Sequence, residues 1–177
     1  DTVHNDFRLW LTSMPTPFFP VTIMQNGVKM TKEPPKGIRA NLKQTYFKLD
    51  DDQLQITTKP DTYKHLLFGL SFFHAVMIER KKFGPLGWNI PYAFNDTDFD
   101  ICKSQLALYL DVYDEVPWAV LKVLTAVVNY GGRITDDKDI RTADIILETF
   151  FNPSILDPTY RFSASGLYGS VDFDKDA

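Results

Sequence analysis

Apolar and polar positions change period several times along the first sixty residues. Phe7-Arg-Leu-Trp-Leu11 is a short apolar run ending in Thr12-Ser13 and Met-Pro-Thr-Pro, which predicts a strand. Pro20 opens a predicted helix of one or two turns through Val21, Ile23 and Met24, stopped by Asn26-Gly27. Val28-Lys-Met-Thr31 alternates apolar with polar, the period of a second strand, and Pro34-Pro35 ends it. Ile38 to Phe47 predicts a helix with Ile38, Leu42 and Thr45 on one side. Asp50-Asp51-Asp52 and the polar residues up to Pro60 read as a linker or exposed excursion, with a subdomain boundary near Lys59.

From Tyr63 the period becomes helical. Leu66, Leu70, Phe73 and Met77 repeat at helical spacing, and the other faces are apolar too, which predicts a helix in the middle of a bundle. Arg80-Lys81-Lys82 suit its C-terminal dipole, and Gly84-Pro85 ends it. Pro85 to Phe94 must be a loop, yet it carries Trp88, Tyr92 and Phe94, so it is expected to pack onto the core. Asp96, Thr97 or Asp98 caps a second helix with Phe99, Cys102, Leu106, Tyr109, Leu110 and Tyr113 as its buried stripe. Pro117 opens a third, with Trp118, Leu121, Leu124, Thr125 and Val128 inward, and Gly131-Gly132 stops it. Thr135 or Asp136 caps a fourth, with Ile140, Ala143, Leu147 and Phe150 on one face and Asn152-Pro153 closing it. Beyond Tyr160 the Ser/Gly-rich and then acidic sequence reads as a linker. The fold class is mainly α: a helical bundle after a short strand-containing α/β piece.

Composition narrows the function classes. The chain has 177 residues, 44% hydrophobic and 24% charged, as a folded domain should. A formal net charge of −4 argues against a general nucleic-acid or anionic-membrane partner. The run Leu66–Ile78 is too short and too interrupted for a membrane span. Cys102 is the only cysteine, which excludes an internal disulfide and suits a reducing compartment. With no initiator Met or leader pattern, the chain reads as a piece of something larger.

Each candidate for chemistry fails on spacing or setting. Nothing fits a P-loop. Gly69-Leu-Ser71-Phe-Phe73 begins like a nucleophile elbow but has phenylalanine at the second glycine and an apolar, mid-helix setting. Asp96, Asp98 and Asp100 imitate a calcium loop without its turn glycine or closing glutamate, so helix capping explains them better. His65 and His74 face opposite sides of their helix and cannot share a metal; His74 is expected to be a satisfied core residue. Cys102 is expected to be buried and inert. Asn95-Asp-Thr97 is an idle glycosylation sequon in a reducing compartment, and Arg80-Lys81-Lys82 is a solvated helix end. Arg133, after Tyr130-Gly-Gly132, suits a phosphate contact, but a surface pair with Asp136 or Asp137 is the favoured alternative. The residues alone describe a non-catalytic helical module.

Several stretches resemble the C-terminal motor region of dynein heavy chains, of the axonemal branch. They are Phe7-Arg-Leu-Trp-Leu-Thr-Ser-Met-Pro15, Gln25-Asn-Gly-Val-Lys-Met-Thr31, Glu33-Pro-Pro-Lys-Gly-Ile-Arg-Ala-Asn41, Phe83-Gly-Pro-Leu-Gly-Trp-Asn-Ile-Pro-Tyr92 and Asn129-Tyr-Gly-Gly-Arg-Ile-Thr-Asp-Asp137. The resemblance runs from about Phe7 to Gly166 and implies the sixth AAA+ module of the motor ring. Residues 1–59 would end its large α/β subdomain, 60–165 would form its helical lid, and 166–177 a linker or tail. Thr12 or Ser13 would stand at the end of a sensor strand and Arg133 at the lid's second sensor. No arginine lies between Arg8 and Arg39 to serve as a finger. The implied role is structural and mechanical, without catalysis or a cofactor in this piece, while ATP and Mg would serve the parent motor. Rigidity would come from Trp88, Tyr92, Leu70, Phe73 and Trp118. Implied partners are neighbouring AAA+ modules and the C-terminal region of the same heavy chain, with intermediate chains, light chains and microtubules for the parent. The implied location is the cytoskeleton, in the axoneme of a cilium or flagellum.

Overall fold

The computed structural model describes residues 3–14, 16–30 and 35–169. Thr31 at the end of the second expected strand, the Pro34 stop and the acidic end from residue 170 lie outside them. The chain divides into two compact units, Asp1–Pro34 and Pro35–Ala177, upstream of the composition boundary expected near Lys59.

In the first unit, α1 (Val21–Asn26) follows Pro20 as expected and ends at Gly27. The strand expected at Phe7–Leu11 does not form, and residues 28–30 are not a strand either. Both corrections have one cause: a lone extended segment has no neighbour for its amide and carbonyl groups, and two short segments make no stable sheet. Among the described residues of this unit none is buried, and Phe19 alone is half-buried.

The second unit is built around α4 (Pro60–Arg80), which begins at Pro60, one of the few places a helix accepts proline. Its residues are apolar on every side, and Tyr63, Leu66, Leu67, Leu70, Phe72, Phe73, Ala75 and Met77 are all buried. Each large one contributes about 1.5–3 kcal/mol over leaving it in water. The helix α2 (Ile38–Phe47) packs on α4 through Leu42, where the pattern placed it. The stretch read as linker contains a one-turn helix, α3 (Asp51–Leu54), which also touches α4.

The capping of α5 (Asp96–Val112) differs from expectation. Asn95 is the N-cap: its side chain accepts from Thr97 and Asp98 N–H, while the Asp98 carboxylate accepts from Asn95 N–H at 3.0 Å. Phe99, Cys102, Leu106 and Leu110 are buried as the stripe required, but Tyr113 is exposed. The third helix starts as α6 (Trp118–Lys122) and continues as a π-helix over Val123–Tyr130. That wider turn changes which residues face inward: Thr125, Ala126 and Tyr130 are buried and the expected Val128 is 53% exposed.

The last long helix, α7 (Asp137–Phe150), is capped by Asp136, which accepts from Lys138 and Asp139 N–H. It crosses α4 closely: a Cβ on Gly69 would stand 2.4 Å from the Phe150 carbonyl oxygen. Beyond it, a 3-10 turn over Pro153–Leu156 buries Ile155. The sequence after Tyr160 is not a free linker at first. Phe162 is buried against Phe68 and Phe72, Tyr168 packs edge-on to Phe72, and Phe162 N–H donates to the Tyr168 carbonyl.

Candidate functional site

The loop between α4 and α5 is locked to the start of α7. Trp88 is 2% exposed; its indole N–H donates to the Met77 carbonyl at 3.1 Å, and the Arg80 guanidinium lies 5.1 Å over its ring. Tyr92 and Phe94 pack against the same indole, and Phe94 continues to Tyr130 on the π-helix. The polar half comes from α7. The buried Asp139 carboxylate accepts from the Asn89 and Ile90 N–H groups, and Asp136 N–H donates to the Tyr92 hydroxyl at 3.2 Å. The Asn89 amide donates to Asp136, which helps hold that carboxyl below its ordinary range. The end of α4, the loop and the first turn of α7 are thus one bonded body. Trp88, Tyr92, Leu70 and Phe73 are buried in the core, and Trp118 is half-buried against Phe151 at 5.5 Å.

Arg133 lies in the 3-10 turn Gly131–Arg133. Its Nε donates to Asp98 Oδ1 at 2.7 Å, so neither Asp136 nor Asp137 is its partner. Asp98 has 5% of its side chain exposed and already closes the cap of α5. A buried carboxylate needs such pairing, because an uncompensated buried charge is costly. Arg133 itself is 43% exposed on its side chain and commits Nε to this bond. Asp98 as partner lay thirty-five positions away; the readable signal was Asn95 three residues before an aspartate, a capping box.

Thr12 and Ser13 belong to the first unit and are exposed, with the Ser13 hydroxyl donating to the Met14 carbonyl. Neither sits at the end of a strand.

Other reactive groups are quiet. Cys102 is buried, accepts from the Asn129 amide and has its thiol pushed up to about 11 by burial. His74 is buried with Nδ1 2.7 Å from the Tyr130 hydroxyl, but its Nε2 makes no hydrogen bond, so it is only half satisfied. Burial lowers its pKa to about 4 against the pull of Asp96, Asp98 and Asp100. Among the described residues no group of acids, histidines and cysteines could hold a metal, and no helix is long and apolar enough to cross a membrane. A cleft of about 460 Å³ between α2, α3 and α5 is lined by Lys48, Asp96, Asp100 and Lys103. Its lysines already pair with those acids.

Comparison with known proteins bears on the whole chain. The family described as "Dynein heavy chain AAA lid domain" matches residues 63–176, and "Dynein heavy chain region D6 P-loop domain" matches residues 1–31. Dynein axonemal heavy chain 1 of Homo sapiens is 54% identical over 171 residues, which are 97% of this chain and 4% of that protein. The Rattus norvegicus protein of the same name is 53% identical over the same share. Dynein axonemal heavy chain 12 of Mus musculus is 51% identical over 173 residues, 95% of this chain and 6% of that protein. The chain therefore spans about one twenty-fifth of the first of these relatives.

Proposed function

Because the chain belongs to the dynein heavy chain family and carries its AAA lid, we propose that it is a mechanical segment of an AAA+ ring in an axonemal, microtubule-based motor. ATP and Mg serve such a motor in modules outside these residues. In this reading residues 60–165 are the lid, residues 1–59 end the large subdomain, and the tail begins at 166. The reading also places the chain in the axoneme, among the neighbouring modules and C-terminal region of its own heavy chain. Intermediate chains, light chains and microtubules are partners of the whole motor.

One observation carries the mechanical role. Asp139, Asn89, Tyr92 and Trp88 join the end of α4 to the start of α7 by bonds that a rigid-body shift would preserve. A lid with this clamp passes displacement on as a unit. The test is Asp139→Ala in the full-length heavy chain, with Trp88 fluorescence reporting that the fold persists. ATP turnover should remain while microtubule gliding slows; unchanged gliding velocity would overturn the role.

The partial exposure of the Arg133 side chain supports a second reading, a nucleotide-responsive lid in which Thr12, Ser13 and Arg133 act as sensors. Millimolar ATP should leave the melting temperature of the 177-residue chain unchanged in the mechanical reading. A rise that Arg133→Ala removes would favour the sensor reading instead.

A further inference from the structure

The turn into α2 is held by a residue from another helix. Gly37 is the N-cap of α2 and offers no side chain to its first turn. It stands at φ 94°, in the left-handed region that favours glycine. What closes this end is Glu79, forty-two positions on, in the last turn of α4. Its Oε1 accepts from the Gly37 N–H at 2.8 Å, the part that an acid at the third helical position plays in a capping box. The same oxygen accepts from the Asn41 amide at 2.7 Å. Asn41 is buried and also donates to the Gly37 carbonyl at 2.9 Å. The Glu79 side chain is 12% exposed, and the ammonium of Lys82 balances its charge.

Position gives these bonds a second meaning. The unit that holds α2 begins at Pro35, so any displacement carried along the backbone enters it just ahead of Gly37. On α4, Glu79 lies between Met77 and Arg80, the two residues that hold the aromatic loop. Met77 takes the Trp88 indole N–H, and Arg80 donates from Nε to the Gly87 carbonyl at 3.1 Å. Asn89, next in the chain, meets Asp139. The start of α2 and the start of α7 are thereby joined through one run of bonds, with Glu79 as its first link. The boundary expected near Lys59 would group α2 with the residues before it, but Glu79 ties it to the lid.

We infer that Glu79 is a positioning residue: it fastens the entry turn of α2 to the end of α4, so that displacement arriving at Pro35 reaches the clamp of Trp88, Asn89 and Asp139. The inference rests on the mechanical reading of the lid and names the point at which that lid is driven. Without Glu79 the Gly37 N–H and the Asn41 amide lose a charged acceptor, and the entry turn gives way before the clamp is loaded.

The test uses full-length heavy chains carrying Glu79→Ala, Glu79→Gln, Lys82→Met, Asp139→Ala, and Glu79→Ala together with Asp139→Ala. Glu79→Ala should slow microtubule gliding by the factor that Asp139→Ala does, while ATP turnover remains. Amide exchange in the peptide that carries Gly37 and Asn41 should rise about tenfold, the size of a lost hydrogen bond to a charged group. Exchange at Asn89 should stay as it was. Glu79→Gln keeps an oxygen for Gly37 and should restore the velocity, whereas Lys82→Met removes only the exposed partner and should not change it. Links in series fail together, so the double variant should glide no more slowly than the slower single one. Normal gliding of Glu79→Ala beside slow Asp139→Ala would overturn this inference alone. So would unraised exchange, a Gln variant as slow as Ala, slowing by Lys82→Met, multiplied effects in the double variant, or loss of ATP turnover with gliding. Normal gliding of Asp139→Ala overturns the lid reading, and this inference with it.

Discussion

Trp10 and Trp88 are the same side chain in two circumstances. Trp10 lies in the first unit, 81% exposed, within an apolar run whose Phe7, Leu9 and Leu11 are exposed as well. Trp88 lies in the second, 2% exposed, with its N–H bonded to Met77 and its ring between Arg80, Tyr92 and Phe94. Apolar content does not separate these regions; backbone bonding does. A helix such as α4 satisfies its own amides and can sink whole into a core, whereas an extended run must borrow partners from other strands. The helices of the second unit satisfy their own backbone, whereas the extended run Phe7–Leu11 is not paired into a strand.

The largest effect that tests this contrast is at Trp88. Trp88→Ala removes a buried ring and leaves the Met77 carbonyl without its donor, and should cost about 3–5 kcal/mol. Urea unfolding followed by circular dichroism measures it. A loss under about 1 kcal/mol, the range of surface changes, would show the loop is not a closing part of the core.

A smaller effect comes from acid. The folded pKa of His74, about 4, lies below its ordinary 6.5, so between these values the unfolded chain binds more protons than the folded one. Its contribution is therefore whole above pH 6.5, falls as the pH drops toward 4, and is constant below, a total of about 3 kcal/mol. His74→Gln should flatten the stability profile over that window. Glu79, held below the usual carboxylate range by Lys82, Gly37 and Asn41, loses stability at lower pH and leaves a separate slope. A profile unchanged by His74→Gln would mean that the imidazole is hydrated and outside the core.

Legibility followed the range of the interactions. The helix Ile38–Phe47 and the start at Val21 depend on neighbours in sequence, and the pattern carries them; the aromatic loop is legible as buried from its content, but its partners Tyr130, Asp136 and Asp139 are distant in the chain. Arg133 found Asp98 because two turns from distant helices meet, which no local spacing encodes. Val128 was misplaced because i,i+3 counting assumes an α-helix, and the residues from Val123 close a wider turn. Phe162 and Tyr168 sit in Ser/Gly-rich sequence that reads as linker, yet two rings suffice to fold it back onto Phe72. The apolar run Phe7–Leu11 has the composition of a strand, but pattern does not supply the paired neighbour that a strand needs, and none forms there.

The smallest effect bears most directly on the contrast. In the 177-residue chain Trp10→Ala should change stability by no more than about 0.5 kcal/mol, because an 81% exposed ring has little burial to lose. In the full-length heavy chain of the proposed reading the expectation changes. If the run Phe7–Leu11 becomes a strand between neighbours, alternate side chains enter a core, and the same substitution should then cost about 3–5 kcal/mol. The pair of measurements separates two causes of exposure. A ring that stays cheap to remove in the longer chain is on a surface by design. One that becomes costly was exposed only for want of its sheet, and Trp10 and Trp88 would then differ in nothing but which of them has its partners present.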